Sequence, residues 1–215
     1  MPHDHGPEGM SSSGHPYRPD QDTGLSYWQK MEIAIRELLI ERGLTTPAEI
    51  QAQVEAMDAR SPANGAAVVA RAWMDADFKA RLLEDASAAS REMGFDIGTL
   101  RLIAVENNSD VHNMIVCTLC SCYPRNLLGL PPDWYKSRAY RSRTVREPRK
   151  VLAEFGVELA PDVTVRVHDS TADMRYIVLP QRPAGTEGLS EVELAKLVSR
   201  DAMIGTAVVK APAQD

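Results

Sequence analysis

Asn113-Met-Ile-Val-Cys117-Thr-Leu-Cys120-Ser-Cys122 joins a short apolar, partly β-branched run to a cluster that holds all three cysteines of a 215-residue chain. The run 113–116 predicts a strand, and a strand end can hold a strained turn rigidly while one side of it faces a cleft. Three thiolates at this spacing can all turn toward one soft or borderline transition-metal ion. The chain between them is short enough to bring backbone nitrogens into the same coordination sphere. Cysteines that serve only as packing usually scatter through a core. A disulfide here closes loops too small to stabilise much, and the odd count leaves one thiol over. Structural zinc normally takes a fourth Cys or His at matching spacing, and no second C-x-x-C follows. The reading is a three-sulfur metal claw with coordination positions left open for chemistry.

Working outward, the segments 100–105, 163–167 and 175–179 are also short and β-branched with partial alternation, and they predict three more strands. Helices are expected over 137–155 and 190–200, covering the sheet. Upstream, the alanine-rich stretch from Ser61 through Trp73 and the stretch 77–93, closed by Gly94, predict two helices. Between residues 26 and 42, Trp28, Met31, Ile35, Leu38 and Leu39 recur at helical spacing, and Gly43 follows as a stop. Thr46-Pro47-Ala-Glu49 then supplies an N-cap, a proline at the first helical position and a capping-box glutamate, opening a helix to about Arg60. Two such helices have little core of their own, so their apolar stripe is expected to embrace a partner subunit or the main domain. The class is α+β: an N-terminal helical arm followed by a layered α/β domain with the metal claw at a strand end. The expected divisions are a disordered tail over 1–24, rich in Gly, Pro, Ser, Asp and His, an arm over 25–60 and a metal-binding catalytic domain over 61–215. In the tail, His3, His5 and His15 read as part of a solvated polar segment rather than as metal collectors.

With 44% hydrophobic and 25% charged residues the chain can bury a sizeable core. A net charge of −6 argues against nucleic acid as a partner. No apolar run reaches membrane-spanning length and the first residues lack a signal pattern, so a cytoplasmic location is expected. One basic cluster follows the claw: Lys136, Arg138, Arg141, Arg143, Arg146, Arg149 and Lys150. Intersubunit salt bridges and helix capping are the preferred reading for it.

The claw's surroundings resemble the metal-binding alpha subunit of nitrile hydratases. The likeness is carried by Val116-Cys-Thr-Leu-Cys-Ser-Cys-Tyr-Pro124 and Leu128-Gly-Leu-Pro-Pro-Asp-Trp-Tyr-Lys136. Upstream it includes Val69-Ala-Arg-Ala-Trp73, Arg91-Glu-Met-Gly94, Glu106-Asn107 and Val111-His-Asn113. Downstream it includes Val145 to Gly156, Val165 to Ser170, Arg175 to Gly188 and Asp201-Ala-Met-Ile-Gly205. The resemblance implies one low-spin trivalent metal, held by the sulfurs of Cys117, Cys120 and Cys122 and the deprotonated amides of Ser121 and Cys122. It implies Cys120 as a sulfinate and Cys122 as a sulfenate. Thr118 stands where cobalt members typically carry Thr and iron members Ser, so the expected cofactor is cobalt(III), one per chain, with iron second. Such a centre polarises a nitrile nitrogen or acidifies water, giving an amide; Cys122 and Ser121 are the expected catalytic residues, although Ser121 also reads as a small residue fitting a tight turn.

The resemblance also implies partners: a beta subunit, or paired smaller beta-like subunits, contributing two arginines to the oxidised cysteines, with a small nitrile as substrate and a metallochaperone for loading. Arg125-Asn126 departs from the Trp-Pro of many hydratases, and Phe95-Asp-Ile-Gly98 replaces their Gln-Gly-Glu element. The metal subunit of thiocyanate hydrolases is similar to the chain at Arg125 and in the 31–44 helix. Arg125 and Tyr123 are the expected substrate-pocket residues, with Arg125 suited to an anion or polar group. Thiocyanate hydrolysis is the alternative activity, and a non-catalytic cobalt carrier a second one. His112 and His168 read as structural, and Tyr123, Trp134 and Tyr135 read equally as core or pocket.

Overall fold

A computed structural model describes residues 24–120 and 122–212, so the 1–23 part of the expected tail, its histidines and Ser121 lie outside the described residues. The chain divides into two compact units, at Ala52 and Gln53.

In the first unit, helix α1 spans Tyr27–Glu41. Ser26 caps it by a reciprocal box, its side chain accepting from the Gln29 N–H while the Gln29 side chain takes the Ser26 N–H. No residue of α1 is buried, and Trp28, Met31, Ile35, Leu38 and Leu39 are all exposed. Helix α2, Pro47–Asp58, opens on the expected Thr46 and Glu49 box.

The second unit opens with α3, Pro62–Met74, which buries Ala66, Val68, Val69, Ala70 and Ala72. The single helix expected over 77–93 is instead α4, Ala76–Glu84, and α5, Ala86–Glu92. The break is Asp85, which leaves the helical region at φ −143° and turns its carboxylate onto the Ala88 N–H; a short acceptor side chain competes for backbone donors and starts a new helix. Two four-residue helices follow the claw, α6 at Arg125–Leu128 and α7 at Asp133–Lys136. The helix expected over 137–155 is α8, Arg138–Thr144, and α9, Pro148–Glu154. Pro148 has no N–H and forces Glu147 out of the helical region, so the interruption follows from the ring. Likewise 190–200 forms α10, Glu191–Leu197, and α11, Arg200–Ile204, each opened by a serine cap.

All four expected strands are present: β1 Arg101–Glu106, β2 Val111–Val116, β3 Thr164–Asp169 and β4 Met174–Leu179. They form two two-stranded parallel sheets, β1 with β4 and β2 with β3. Parallel pairing needs long crossovers, and here the helices after the claw carry the chain from β2 to β3. Strand β2 is buried at every position after Val111. The core around it includes Phe78, Leu82, Leu127, Leu128, Tyr135, Leu152, Ile177, Leu179 and Met203. Among the described residues, no helix is long and apolar enough to cross a membrane.

Gly205 closes α11 at φ +87°, against the backbone of β2. A Cβ there would stand 1.9 Å from the Asn113 carbonyl oxygen. Gly205→Ala is expected to cost at least about 3 kcal/mol, from the left-handed conformation together with the clash. A fall of several degrees in melting temperature would register it; an unchanged melting temperature would show that β2 gives way instead.

Candidate metal centre

Strand β2 delivers Cys117 buried at its end, with Cys120 exposed and Cys122 half-buried just beyond. No disulfide joins the three. The sulfurs of Cys117 and Cys120 lie 3.4 Å apart and those of Cys120 and Cys122 3.1 Å. All three fall within 4.8 Å of one another. Sulfurs bound at about 2.3 Å to one ion along perpendicular bonds stand about 3.3 Å apart. The donor set therefore fits a single metal ion on one face. Burial, followed by hydrogen bonds with the Cys120 and Cys117 thiols, pushes the Cys122 thiol up to about 12. Metal binding must therefore displace a proton that the Cys122 thiol holds firmly.

The turn is pinned from outside. The Thr118 N–H and hydroxyl both donate to Asp169 at the end of β3, at 2.9 and 2.5 Å. The Tyr135 hydroxyl donates to the Cys122 carbonyl at 2.8 Å, and the Tyr140 hydroxyl to the Ile115 carbonyl at 2.7 Å. Arg141 donates from Nε to the Cys117 carbonyl at 3.0 Å and from an Nη to the Thr118 carbonyl at 2.8 Å. Burial raises the pKa of both tyrosines well above the ordinary range, so they remain neutral donors.

Five residues of the basic cluster, Arg141, Arg143, Arg146, Arg149 and Lys150, have partners within the chain. Arg143 pairs with Glu147 and Glu154, Arg146 reaches the Ser142 carbonyl, and Arg149 reaches carbonyls between Leu159 and Val163. Sequence reasoning grouped Arg141 with these residues and missed its role at the claw. Its spacing carries no mark that separates it from its neighbours.

Tyr123 and Arg125, the expected pocket residues, line one crevice with Ile97, Leu100, Leu102 and Arg175. The crevice holds about 10 Å³, room for roughly one water and too little for a nitrile. The Tyr123 hydroxyl and Arg175 Nε are both buried with no hydrogen-bond partner among the described residues. Arg125 meets the Met57 sulfur at 3.9 Å. The two departures from the hydratase pattern pack on one another. Asn126 donates to the Ile97 carbonyl at 2.7 Å, and Gly98, at φ +68°, leaves the space that a Cβ would take 2.6 Å from Asn126 Nδ2. Arg60 joins the pair through Asn126 Oδ1 and Asp96.

His112 and His168 are both held by hydrogen bonds within the fold. His112 Nε2 faces the Gly205 carbonyl at 2.8 Å and Nδ1 faces the Asn107 amide nitrogen at 3.3 Å. A carbonyl only accepts, so Nε2 carries the proton and Nδ1 receives the Asn107 N–H. The Asn107 Oδ1 takes the N–H of Asn113, and Asn113 Oδ1 faces His168 Nε2 at 2.8 Å. Burial lowers the pKa of both histidines from 6.5.

These features define a metal-binding α+β subunit whose claw is completed by three cysteine sulfurs. Residues 26–207 match the nitrile hydratase alpha chain family, and the chain belongs to that family. It is 51% identical over 185 residues to the low-molecular weight cobalt-containing nitrile hydratase subunit alpha of Rhodococcus rhodochrous, covering 84% of this chain and 88% of that one. It is 42% identical over 200 residues to the thiocyanate hydrolase subunit gamma of Thiobacillus thioparus, covering 86% and 82%. A double variant of the Fe-type nitrile hydratase from Comamonas testosteroni superposes with a TM-score of 0.80 at 41% identity, over 88% of this chain and 94% of that one.

Both histidines are lowered in the fold, so below about pH 6.5 the unfolded chain binds more protons than the native one. Stability is therefore full above that pH and is lost as pH falls through 6.5 toward the folded values. Melting temperatures taken from pH 7.5 to 5.5 should decline, and His112→Gln, which keeps an N–H donor but does not titrate, should flatten the decline. Equal slopes in the two proteins would contradict the assignment of a neutral His112.

Proposed function

We propose that this chain is the metal-binding catalytic subunit of a cobalt nitrile hydratase, converting a nitrile to its amide with one cobalt(III) per chain. The observation that carries the reading is the set of three sulfurs within 4.8 Å at the end of a buried strand, in a chain of this family. The bound metal supplies a Lewis acid that makes the nitrile carbon electrophilic. The chain supplies the rest. Cys117, Cys120 and Cys122 hold the ion with the backbone nitrogens of Ser121 and Cys122. We read Cys120 as a sulfinate and Cys122 as a sulfenate, whose oxygen would be one candidate to attack the nitrile carbon. Thr118, fixed by Asp169, marks the cobalt form.

A partner subunit completes the site. Leu119 at the claw tip is 85% exposed and Leu130 is 64% exposed, while α1 offers an uncovered apolar stripe. We read the partner as a beta chain or two shorter beta-like chains, with a metallochaperone for loading and a cytoplasmic location. Anionic sulfur oxyacids are costly to bury without charged partners, which fits arginines supplied from that chain. Arg125 favours a second reading, thiocyanate as substrate, because a guanidinium close to the claw suits a small anion.

The test is a product assay on the cobalt-loaded complex, co-expressed with its partner subunits and offered a nitrile panel and thiocyanate in parallel. Amide as the main product supports the hydratase; carbonyl sulfide and ammonia from thiocyanate would replace it with the second reading. Cys122→Ala should lower activity by more than about 100-fold, beyond what outer-shell partners usually cost. Peptide mass should show two added oxygens on Cys120 and one on Cys122, and unoxidised thiols in active material would remove those assignments.

A further inference from the structure

We infer that Arg141 is a positioning residue of the metal claw, holding by its guanidinium fork the backbone from which the sulfurs project. The inference rests on the metal site proposed above and adds to it a residue outside the donor set. Arg141 lies on α8, and its Nε and Nη donate to the successive carbonyls of Cys117 and Thr118 at 3.0 and 2.8 Å. Among the described residues, no backbone N–H reaches either oxygen. The peptide between Cys117 and Thr118 is thereby held at both ends, its carbonyl by Arg141 and its N–H by Asp169. Tyr135 and Tyr140, from the same α7 and α8 stretch, take the carbonyls on either side, at Cys122 and Ile115.

The chemistry favours arginine specifically. Two carbonyls presented side by side match a planar fork with fixed N–H directions, which a single ammonium reproduces at one oxygen only. A half-buried cation bonded to neutral carbonyls also sets positive charge against a turn whose three sulfurs become anionic when they bind a metal ion. Arg143, Arg146 and Arg149 have carboxylates or helix and loop carbonyls as partners, so none of them duplicates this contact.

The experiment uses the cobalt-loaded complex with its partner subunits, comparing Arg141→Ala and Arg141→Lys with Arg146→Ala, a charge removal one turn away. Three quantities are followed: the time course of cobalt loss to excess EDTA, the sulfur-to-metal absorption band, and the melting temperature. R141A should lose metal about 10- to 100-fold faster, the range for outer-shell partners of metal ligands, with a shifted band. R141K should fall between R141A and wild type, and R146A should match wild type. Wild-type retention with an unshifted band in both R141A and R141K would overturn the inference. So would faster loss that Leu194→Ala, a core truncation away from the claw, reproduces at the same drop in melting temperature. If R141A does not assemble, R141K alone decides between the outcomes. Absence of metal from the wild-type complex would overturn the metal-site reading itself, a failure distinct from metal that binds and is retained equally by every variant.

Discussion

The rest of the structure depends on keeping three sulfurs within 4.8 Å of one another without letting them bond. Two thiols 3.1 Å apart in an oxidising setting can collapse to a disulfide of about 2.05 Å, which would remove two of the three donors. Six residues of free chain would sample many arrangements, so the geometry has to be imposed from outside. The fold does this by burying β2 completely and fixing the turn with side chains from β3, α7 and α8. Apart from the Thr118 hydroxyl bond to Asp169, each clamp is a hydrogen bond to backbone and none engages a sulfur.

That rigidity has its own foundation. A two-stranded parallel pair is a weak unit, and this chain has two of them in place of one larger sheet. Asn107, His112, Asn113 and His168 make the connection. Asn113 Nδ2 donates to the Glu106 carbonyl and to Asn107 Oδ1, and its Oδ1 faces His168. One asparagine on β2 therefore touches β1, the loop after it and β3. The His112 ring extends the chain of bonds to Gly205, where α11 ends against β2. A buried network of this kind is favourable only when every member is satisfied, and the neutral histidine is what satisfies it. Protonating Nδ1 would set it against the Asn107 N–H.

The claw, the four strands and the Thr46 capping box were legible in the sequence because each is a local pattern: cysteine spacing, β-branching and capping residues at fixed offsets. Three expected helices were broken, at Asp85, at Glu147 and Pro148, and at Ser199, by residues whose signal is also local. The apolar periodicity running across each break outweighed that signal. The role of Arg141 was not legible, since a contact 24 residues away depends on how α8 returns over the strand end. The parallel pairing of β1 with β4 was equally hidden, because register across a 70-residue separation leaves no mark in either strand.

The two departures from the hydratase pattern lie about 30 residues apart in sequence and read there as independent changes, but the structure makes them one. Asn126 fills the concavity that Gly98 leaves and bonds the Ile97 carbonyl, while Arg60 and Asp96 close the ring around it. A bulky residue at 126 would be incompatible with this turn, and a side chain at 98 would displace Asn126. With position 126 committed to the turn, Arg125 is left at the crevice with a thioether as its polar-atom neighbour. Among the described residues, no carboxylate pairs with its guanidinium. The change at 126 is thus a packing requirement of the 95–98 turn, and Arg125 is the member of the pair that lines the crevice.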